Sequence, residues 1–312
     1  MANTLIIRRR IKSVKNTRQI TKAMELVAAT KMRRAQQQAI RSRTYAEVAW
    51  SMINHLAGKV EAKEHPLLKR PLEIKSAAII LLSSNRGLAG TFNNQIIATA
   101  LKHIERLRAQ YAGIKIDVLT IGRKGAEAMV KNQLRVAADF KRVDINVQVA
   151  DILPLSALII KKFIASEYDQ AWLVYTDFVS SLVQKPQIKQ LLPFPSLKEL
   201  WELSRTDNLG RVEVEAPTAQ LDFFDQNFEY KFEPRPSRVL EILLPRLLEL
   251  QLYQALLESN ASEHSARMMA MKTATDAAAD IISDLTLEYN QMRQASITKE
   301  ICEISAGRLA VT

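Results

Sequence analysis

The sequence predicts an α/β protein in which a central domain lies between two long terminal helices that pair as an antiparallel coiled coil. Neither Gly nor Pro occurs between Met1 and Ala57 or between Arg246 and Ala306. Both stretches are rich in Ala, Leu, Met, Gln, Glu, Lys and Arg, which are strong helix formers. The residues between them alternate short apolar runs with amphipathic stretches, as α/β units do. We expect domains at 1–57, 72–236 and 237–312.

The first segment, residues 1–57, predicts one uninterrupted helix. About sixty helical residues span roughly 90 Å, far more than the width of a small domain. A helix of this length needs a partner, because most helical stability comes from tertiary packing. An apolar stripe of Ile7, Ile11, Val14, Met24 and Ala28 marks the expected seam, which continues through polar residues at Lys31, Gln38 and Ser42.

The net charge of +11 is concentrated near the N-terminus. Residues 1–50 hold 12 Lys and Arg but only two acidic residues, whereas residues 246–312 hold 6 basic and 9 acidic residues. Such a basic segment favours an acidic partner, which could be nucleic acid, an anionic membrane or an acidic protein surface. The acidic end of the same chain could supply part of it, and a solvated helix face is the plainer alternative.

The central segment predicts a Rossmann-like α/β domain with a mainly parallel sheet. The expected order is strand, helix, strand, helix, helix, strand. The strands are predicted at 77–82, 115–121 and 172–175, and the helices at 91–112, 124–133 and 155–168. Residues 185–236 contain six prolines, so we expect irregular structure there with one strand near Phe228–Phe232.

The C-terminal segment carries the heptad pattern of a left-handed coiled coil. Alternating steps of three and four from Leu243 reach mostly apolar residues as far as Met292. Pro245 falls near the start of this pattern. We expect a break or a sharp kink there, with the straight helix beginning after it, because proline cannot donate to the helical ladder.

The sequence contains no catalytic motif in a supporting context. Gly87-Leu88-Ala89-Gly90 opens a predicted helix and could hold phosphate, but it lacks the patterns of dinucleotide folds and P-loops. The four histidines are scattered, and the single Cys302 excludes an intramolecular disulfide and a Cys-based zinc site. We therefore expect a protein that is not an enzyme and holds no cofactor or metal.

Three ordered motifs resemble the gamma subunit of rotary proton-driven ATP synthases: Arg10–Met32, Ala266–Ala277 and Tyr289–Ile301. The loop at 83–90 is similar to the family pattern S-[ST]-D-R-G-L-C-G. Here Asn85 replaces the Asp and Ala89 replaces the Cys, whereas Arg86 and Gly87 remain. Residues 196–217 are longer than the compact bacterial pattern. They contain no Cys, so the thiol-regulated insertion of chloroplast relatives cannot operate here.

The resemblance implies the central rotor shaft subunit of a proton-translocating ATP synthase. Such a subunit is not catalytic: it couples rotation of the membrane ring to ATP synthesis or hydrolysis on the beta subunits. Its coiled coil fills a ring of alternating alpha and beta subunits, and its globular domain rests on the membrane rotor ring with the epsilon subunit. The expected location is peripheral, on the cytoplasmic face of the bacterial cell membrane, with membrane contact only through the complex.

The resemblance also implies partner-binding residues. Met24, near Lys22 in the basic helix, matches the position that faces an acidic loop of the beta subunit. Arg86 matches an Arg that contacts a beta subunit from the globular domain. A polar catch near the upper shaft matches Arg293, Gln294, Thr298 and Glu300. The ordinary alternatives are seam packing for Met24, loop capping for Arg86 and solvated surface for the catch.

A basic coiled-coil nucleic-acid-binding protein is the alternative function. The charge of residues 1–50 could neutralise phosphates. Aromatic side chains for base stacking are scarce in that segment, which has only Tyr45 and Trp50. We therefore expect no nucleic acid among the partners. Copurification separates the two hypotheses, because a shaft brings down nucleotide-binding subunits and a nucleic-acid binder brings down polynucleotide.

Overall fold

The computed structural model describes residues 2–57, 65–144, 147–194 and 236–309, with side chains described within 5–42, 65–144, 147–194 and 238–305. The strand expected near Phe228–Phe232 and the long segment 196–217 lie outside the described residues. Two long helices, α1 at Ala2–Ala57 and α5 at Pro236–Leu309, confirm the predicted terminal helices. Within the described residues, no helix combines the length and apolar character needed to cross a membrane.

Between the long helices the chain forms a five-stranded sheet in the order β3-β2-β1-β4-β5. Strands β1 to β4 pair in parallel, and β5 is antiparallel to β4. The strands are β1 at Ser76–Leu82, β2 at Lys115–Ile121, β3 at Arg135–Phe140, β4 at Gln170–Phe178 and β5 at Gln184–Leu192. The shorter helices are α2 at Phe92–Gln110, α3 at Arg123–Lys131 and α4 at Leu153–Ile164. The predicted Rossmann-like domain is thus confirmed.

The apolar run of β1 is buried on both faces, as expected for a central parallel strand. Ala78, Ile80 and Leu82 pack in one core cluster with α4 and the first part of α5. The alternate residues Ala77, Ile79 and Leu81 pack in a second cluster with α2. Two apolar layers therefore hold the sheet, which explains why the run shows no polar alternation.

The two edge strands were not predicted, and the expectation of irregular structure over 185–192 is wrong. β3 is a short strand whose residues alternate between exposed and half-buried. β5 contains Lys185, Pro186 and Lys189, which are typical of an edge strand because they discourage pairing with another chain. Tertiary pairing, rather than local apolar character, places both segments in the sheet.

The chain forms two compact units. The helical unit consists of residues 1–29 and 267–312, and the sheet unit consists of residues 30–266. In the helical unit the shielded residues of α5 follow the predicted steps of three and four from Met271 to Met292. Ile7, Thr21 and Ala28 are the buried seam positions of α1.

The two long helices run antiparallel, as predicted. In the helical unit the hydroxyl oxygens of Thr21 and Thr275 lie 2.8 Å apart. In the sheet unit Ser42 donates a hydrogen bond of 2.7 Å to Gln254. Within each unit by itself, α1 therefore contacts α5.

Of the break or sharp kink expected at Pro245, the break is wrong, because α5 continues through it from Pro236 to Leu309, and the kink stays a prediction. Leu244, Leu247 and Leu248 are buried beside the proline and hold this turn in the core. The carbonyl that loses its donor belongs to Glu241, which is exposed, so water can hydrate it.

Candidate partner-binding surfaces

The first candidate surface is the basic side of α1 in the helical unit. Arg8, Lys15 and Lys22 recur at intervals of seven residues, so they share one helix face, and all three are exposed. We call these three residues the basic stripe. Lys22 Nζ lies 3.0 Å from Glu25 Oε1. A pair between neighbouring turns of a helix, with an exposed lysine, contributes only about 0.3–0.5 kcal/mol, so it leaves Lys22 available to a stronger acidic partner.

Met24 is half-buried in the same unit. Its neighbour Glu25 has 14% of its side chain exposed. Met24 therefore lies at the border between the seam and the basic surface. This position is compatible with both the seam role and the partner-binding role expected of it.

The second candidate surface is the loop Ser83–Gly90 of the sheet unit, which connects β1 to α2. Arg86 is exposed near its tip. The Ser84 hydroxyl donates to the carbonyl of Arg86 at 2.5 Å, and the Ser84 N–H donates to Asn93 Oδ1 at 3.1 Å. The start of α2 thus fixes the backbone beside Arg86 while its side chain faces solvent.

The base of this loop is packed against the N-terminus of α3. Ser83 is buried, and its hydroxyl donates to the Gly122 carbonyl at 2.8 Å and accepts from the Gly125 N–H at 2.7 Å. Gly122 has a φ of +107°, and a Cβ there would lie 2.1 Å from the Ser83 carbonyl oxygen. Only glycine fits this approach. The G-x-x-G spacing directly after β2 is the sequence signal that could have indicated it.

A buried arginine supports the same loop and was not found by sequence reasoning. Arg142 follows β3, and its side chain is fully buried. Its Nε and Nη2 donate to Asn260 Oδ1 at 2.8 and 2.6 Å, and Nη2 lies 3.0 Å from Glu263 Oε2. Its Nη1 donates to the Ser83 carbonyl. Arg142 has charged neighbours, Lys141 and Asp144, so nothing in its local sequence indicates that it is buried.

The third candidate surface is the exposed end of α5 in the helical unit. Arg293, Gln294, Thr298 and Glu300 are all exposed there. At about 100° per residue, Arg293 and Glu300 share one face, and Gln294 and Thr298 share a neighbouring face. Between them lies an apolar stripe of Ile297, Ile301 and Ile304, which are 48%, 58% and 73% exposed.

The structure brings the four catch residues together on two turns of one helix. Lys22 and Met24 lie on α1 of the same unit, and Arg86 belongs to the sheet unit. Among the described residues, no three His, Cys, Asp or Glu side chains are close enough to hold a metal ion. The arrangement offers charged and apolar surfaces for protein partners.

Known proteins resemble this chain over its whole length. The model of the ATP synthase family matches residues 3–311. The ATP synthase gamma chain of Roseiflexus castenholzii is 39% identical over 312 residues, covering 100% of this chain and 99% of that relative. The ATP synthase gamma chain of Opitutus terrae is 41% identical over 310 residues, covering 99% of each.

A solved structure also shares the fold. A chain in the cryo-EM structure of the Euglena gracilis mitochondrial ATP synthase (OSCP, F1 and c-ring, rotational state 3) has a TM-score of 0.64 and 18% identity. The match covers 99% of this chain and 95% of that one.

The chain has two paired terminal helices with a mainly parallel sheet domain between them in the sequence, and its relatives are ATP synthase gamma chains. Together these findings define a non-catalytic central shaft subunit. The chain belongs to the ATP synthase gamma-chain family. It works within the membrane-associated ATP synthase complex. The predicted family and function are confirmed, and the nucleic-acid-binding alternative finds no support in these relatives.

Proposed function

We propose that the helical unit binds the alpha and beta subunits of the catalytic head and that the sheet unit binds the epsilon subunit and the membrane rotor ring. The predicted domains 1–57 and 237–312 serve as the shaft, of which residues 1–29 and 267–312 form the helical unit, and residues 72–236 serve as the domain on the ring. The complex lies on the cytoplasmic face of the bacterial cell membrane, and the chain touches the membrane only through it. Nucleic acid has no part in this function.

The observation that carries this proposal is the unequal charge of the two helices in the helical unit. From Leu5 to Ala29, α1 has seven basic residues and one acidic residue. The α5 partner carries four exposed acidic residues at intervals of four, Asp276, Asp280, Asp284 and Glu288. A coiled coil with one basic and one acidic side presents a different face to each beta subunit as it turns.

Unequal faces are what energetic coupling requires. A partner shifts the conformational equilibrium of a beta subunit only if its contacts differ between the states. The basic stripe would favour the state in which an acidic loop approaches the shaft, with Met24 packing beside it. The acidic side would favour a different state, so each rotation step changes which beta subunit is stabilised.

Arg86 and the catch complete the proposed contacts. Arg86 reaches a beta subunit from the sheet unit through its exposed guanidinium, which can form two parallel hydrogen bonds to a carboxylate. Arg293 and Glu300 hydrogen-bond the head on one side of the apolar stripe, and Gln294 and Thr298 on the other. The stripe itself would enter an apolar collar of the head.

Charge reversal of the basic stripe tests the contact with the head. Arg8→Glu with Lys15→Glu replaces two exposed cations, and its matched control is Lys102→Glu with Arg108→Glu on exposed positions of α2. The association rate of each purified variant with isolated alpha and beta subunits is measured at low and high salt. Electrostatic steering acts mainly on association, so the rate of the first variant should fall and lose its salt dependence.

The control variant should associate like the wild type, since epsilon and the ring are absent from this assay. An unchanged rate for the Arg8 and Lys15 variant contradicts the proposed head contact. An equal fall for both variants shows that total charge, and not the basic stripe, sets the rate. Either result removes the basic stripe from the proposal.

A further inference from the structure

A buried polar cluster of the sheet unit lies where the strand order changes direction. From β1 the chain adds β2 and β3 on one side, and then returns to place β4 on the other. In doubly wound folds, ligands bind outside the carboxyl ends of the strands at this point. Here the carboxyl end of β1 is bound by Arg142, whose Nη1 donates to the Ser83 carbonyl.

Helix α5 also packs at the carboxyl ends of the strands, next to the point where the strand order changes direction. Its residues from Glu258 to Ser265 are all buried, although most of them are polar. The Ser262 hydroxyl donates to the carbonyl of Thr176 in β4 at 3.3 Å, and the Ser265 hydroxyl donates to the Ser181 carbonyl at 2.7 Å. The polar groups at this end of the sheet are therefore engaged by the chain's own C-terminal helix.

Arg142 joins this part of α5 to the loop that carries Arg86. Its guanidinium contacts Asn260 and Glu263 of α5 on one side and the Ser83 carbonyl on the other. Its own carbonyl accepts a hydrogen bond of 3.0 Å from Asn85 Nδ2. Asn85 precedes Arg86 directly, so the side chain and the backbone carbonyl of Arg142 together hold Ser83 and Asn85, at the start of the loop just before Arg86.

The energetics favour a geometric role for this contact. A buried ion pair contributes little net stability compared with apolar residues of similar volume, because both charges lose their hydration. A guanidinium, however, presents several donors in a rigid fork and fixes the acceptors around it. Asn260 also donates to the Val143 carbonyl at 3.1 Å, so the acceptor that binds the fork is itself held in place.

We propose that Arg142 is a positioning residue that fastens the Arg86 loop to α5, so that displacement of α5 at Asn260 and Glu263 is passed to Arg86. This inference rests on the proposed contact between Arg86 and a beta subunit. It adds a physical connection between the long C-terminal helix and that contact.

The main variant is Arg142→Lys. Lysine keeps a positive charge next to Glu263 but cannot reproduce the fork to Asn260 and the Ser83 carbonyl. The matched control is Arg135→Lys, at the opposite end of the sheet, where an arginine with 65% of its side chain exposed lies 3.5 Å from Asp117. Arg86→Ala and the double variant Arg86→Ala with Arg142→Lys complete a cycle.

The reassembled complex is placed in lipid vesicles, and protons pumped per ATP hydrolysed are measured. Arg142→Lys should lower this ratio about threefold, and in the Arg86→Ala background it should lower it no further, because residues acting through one contact are not additive. Arg135→Lys should match the wild type. An unchanged ratio for Arg142→Lys, or a loss that multiplies with that of Arg86→Ala, overturns the inference.

Failure of the proposed function gives a different result. If Arg86→Ala pumps normally, the beta-subunit contact of Arg86 is wrong, and the role of Arg142 falls with it. If Arg86→Ala is defective and Arg142→Lys is normal, only the role of Arg142 is wrong.

Hydrogen exchange of the full-length chain gives a second readout that does not need the complex. Arg142→Lys should speed exchange at the amides of Ser84 to Gly87 about tenfold, because the loop base loses its fastening. Amides at the amino end of β1, such as Ala77, should exchange as in the wild type. Unchanged exchange in the loop, or equal acceleration at both places, overturns the inference.

Discussion

The hydrogen bond between Thr21 and Thr275 can be tested by changing each threonine to valine. Both residues are buried in the helical unit, and their hydroxyl oxygens are 2.8 Å apart. Each also has a bonding partner in its own helix: Thr21 reaches the Arg18 carbonyl at 3.0 Å, and Thr275 reaches the Met271 carbonyl at 2.8 Å. Neither hydroxyl is therefore left unsatisfied when the other is removed.

These hydrogen bonds within each helix set the expected size of the stability change. Each single variant loses one interhelical hydrogen bond, worth about 1 kcal/mol, and gains a buried methyl group that offsets part of the loss. The double variant loses the same bond only once. A double-mutant cycle should therefore give a coupling energy of about 1 kcal/mol.

Native-state hydrogen exchange at amides 18–28 measures the local opening free energy of the four proteins in the cycle. The control cycle uses Thr273 and Thr286, which are exposed and bond only to carbonyls of their own helix. Its coupling energy should be zero. A zero value for Thr21 and Thr275 as well would refute the packing of α1 against α5 in this register, since distant residues act additively.

Three further predictions concern other parts of the chain. Gly122→Ala should lower the free energy of unfolding by about 2 kcal/mol or more, because its Cβ would meet a backbone carbonyl at a positive φ. The control Gly87→Ala, whose Cβ meets nothing within 4 Å, should change this free energy little. Denaturant titration measures both values, and equal values for the two variants contradict the prediction. Arg293→Ala with Thr298→Ala should lower proton pumping per ATP while the thermal midpoint stays unchanged, because both are exposed; normal pumping contradicts their role. Burial lowers the pKa of His103, so its contribution to stability is present above pH 6.5 and is lost as the pH falls towards that lowered pKa. In urea titrations, the free energy of unfolding of His103→Leu should therefore fall less than that of the wild type as the pH is lowered. An equal fall for the two proteins contradicts this prediction.

The long helices and their seam could be predicted because their signals are local and repeated. The absence of Gly and Pro over fifty residues and the steps of three and four from Leu243 each recur many times, so single exceptions do not hide them. β1 was equally clear, because a strand buried on both faces has an unbroken apolar run.

The missed features depend on contacts between distant residues. β3 and β5 lie at the edges of the sheet, so each pairs with another strand on one side only. Such a strand does not need the unbroken apolar run that marks a central strand. Arg142 and Glu263 are 121 positions apart, so the sequence around either residue gives no sign that their charges form a pair. The helix through Pro245 is held by buried leucines, a tertiary effect that overrides the local rule.

Within the candidate sites, sequence similarity and structure gave different information. The exposed positions of Arg86 and the catch residues agree with roles in binding, although exposure alone does not assign a partner. The support beneath Arg86 came only from the structure. Its parts are spread over several elements or their ends, from Ser83 after β1 to Asn260 in α5.

Rotation of a single molecule tests the central claim most directly. Leu72, which is fully exposed, is changed to Cys to carry a bead, and the exposed Cys302 is changed to Ser so that the bead has one attachment point. The complex of this chain with alpha and beta subunits is fixed to a surface through the head and given ATP. A shaft predicts a bead that turns continuously in one direction while ATP is hydrolysed; ATP hydrolysis with a stationary or randomly moving bead would contradict the account.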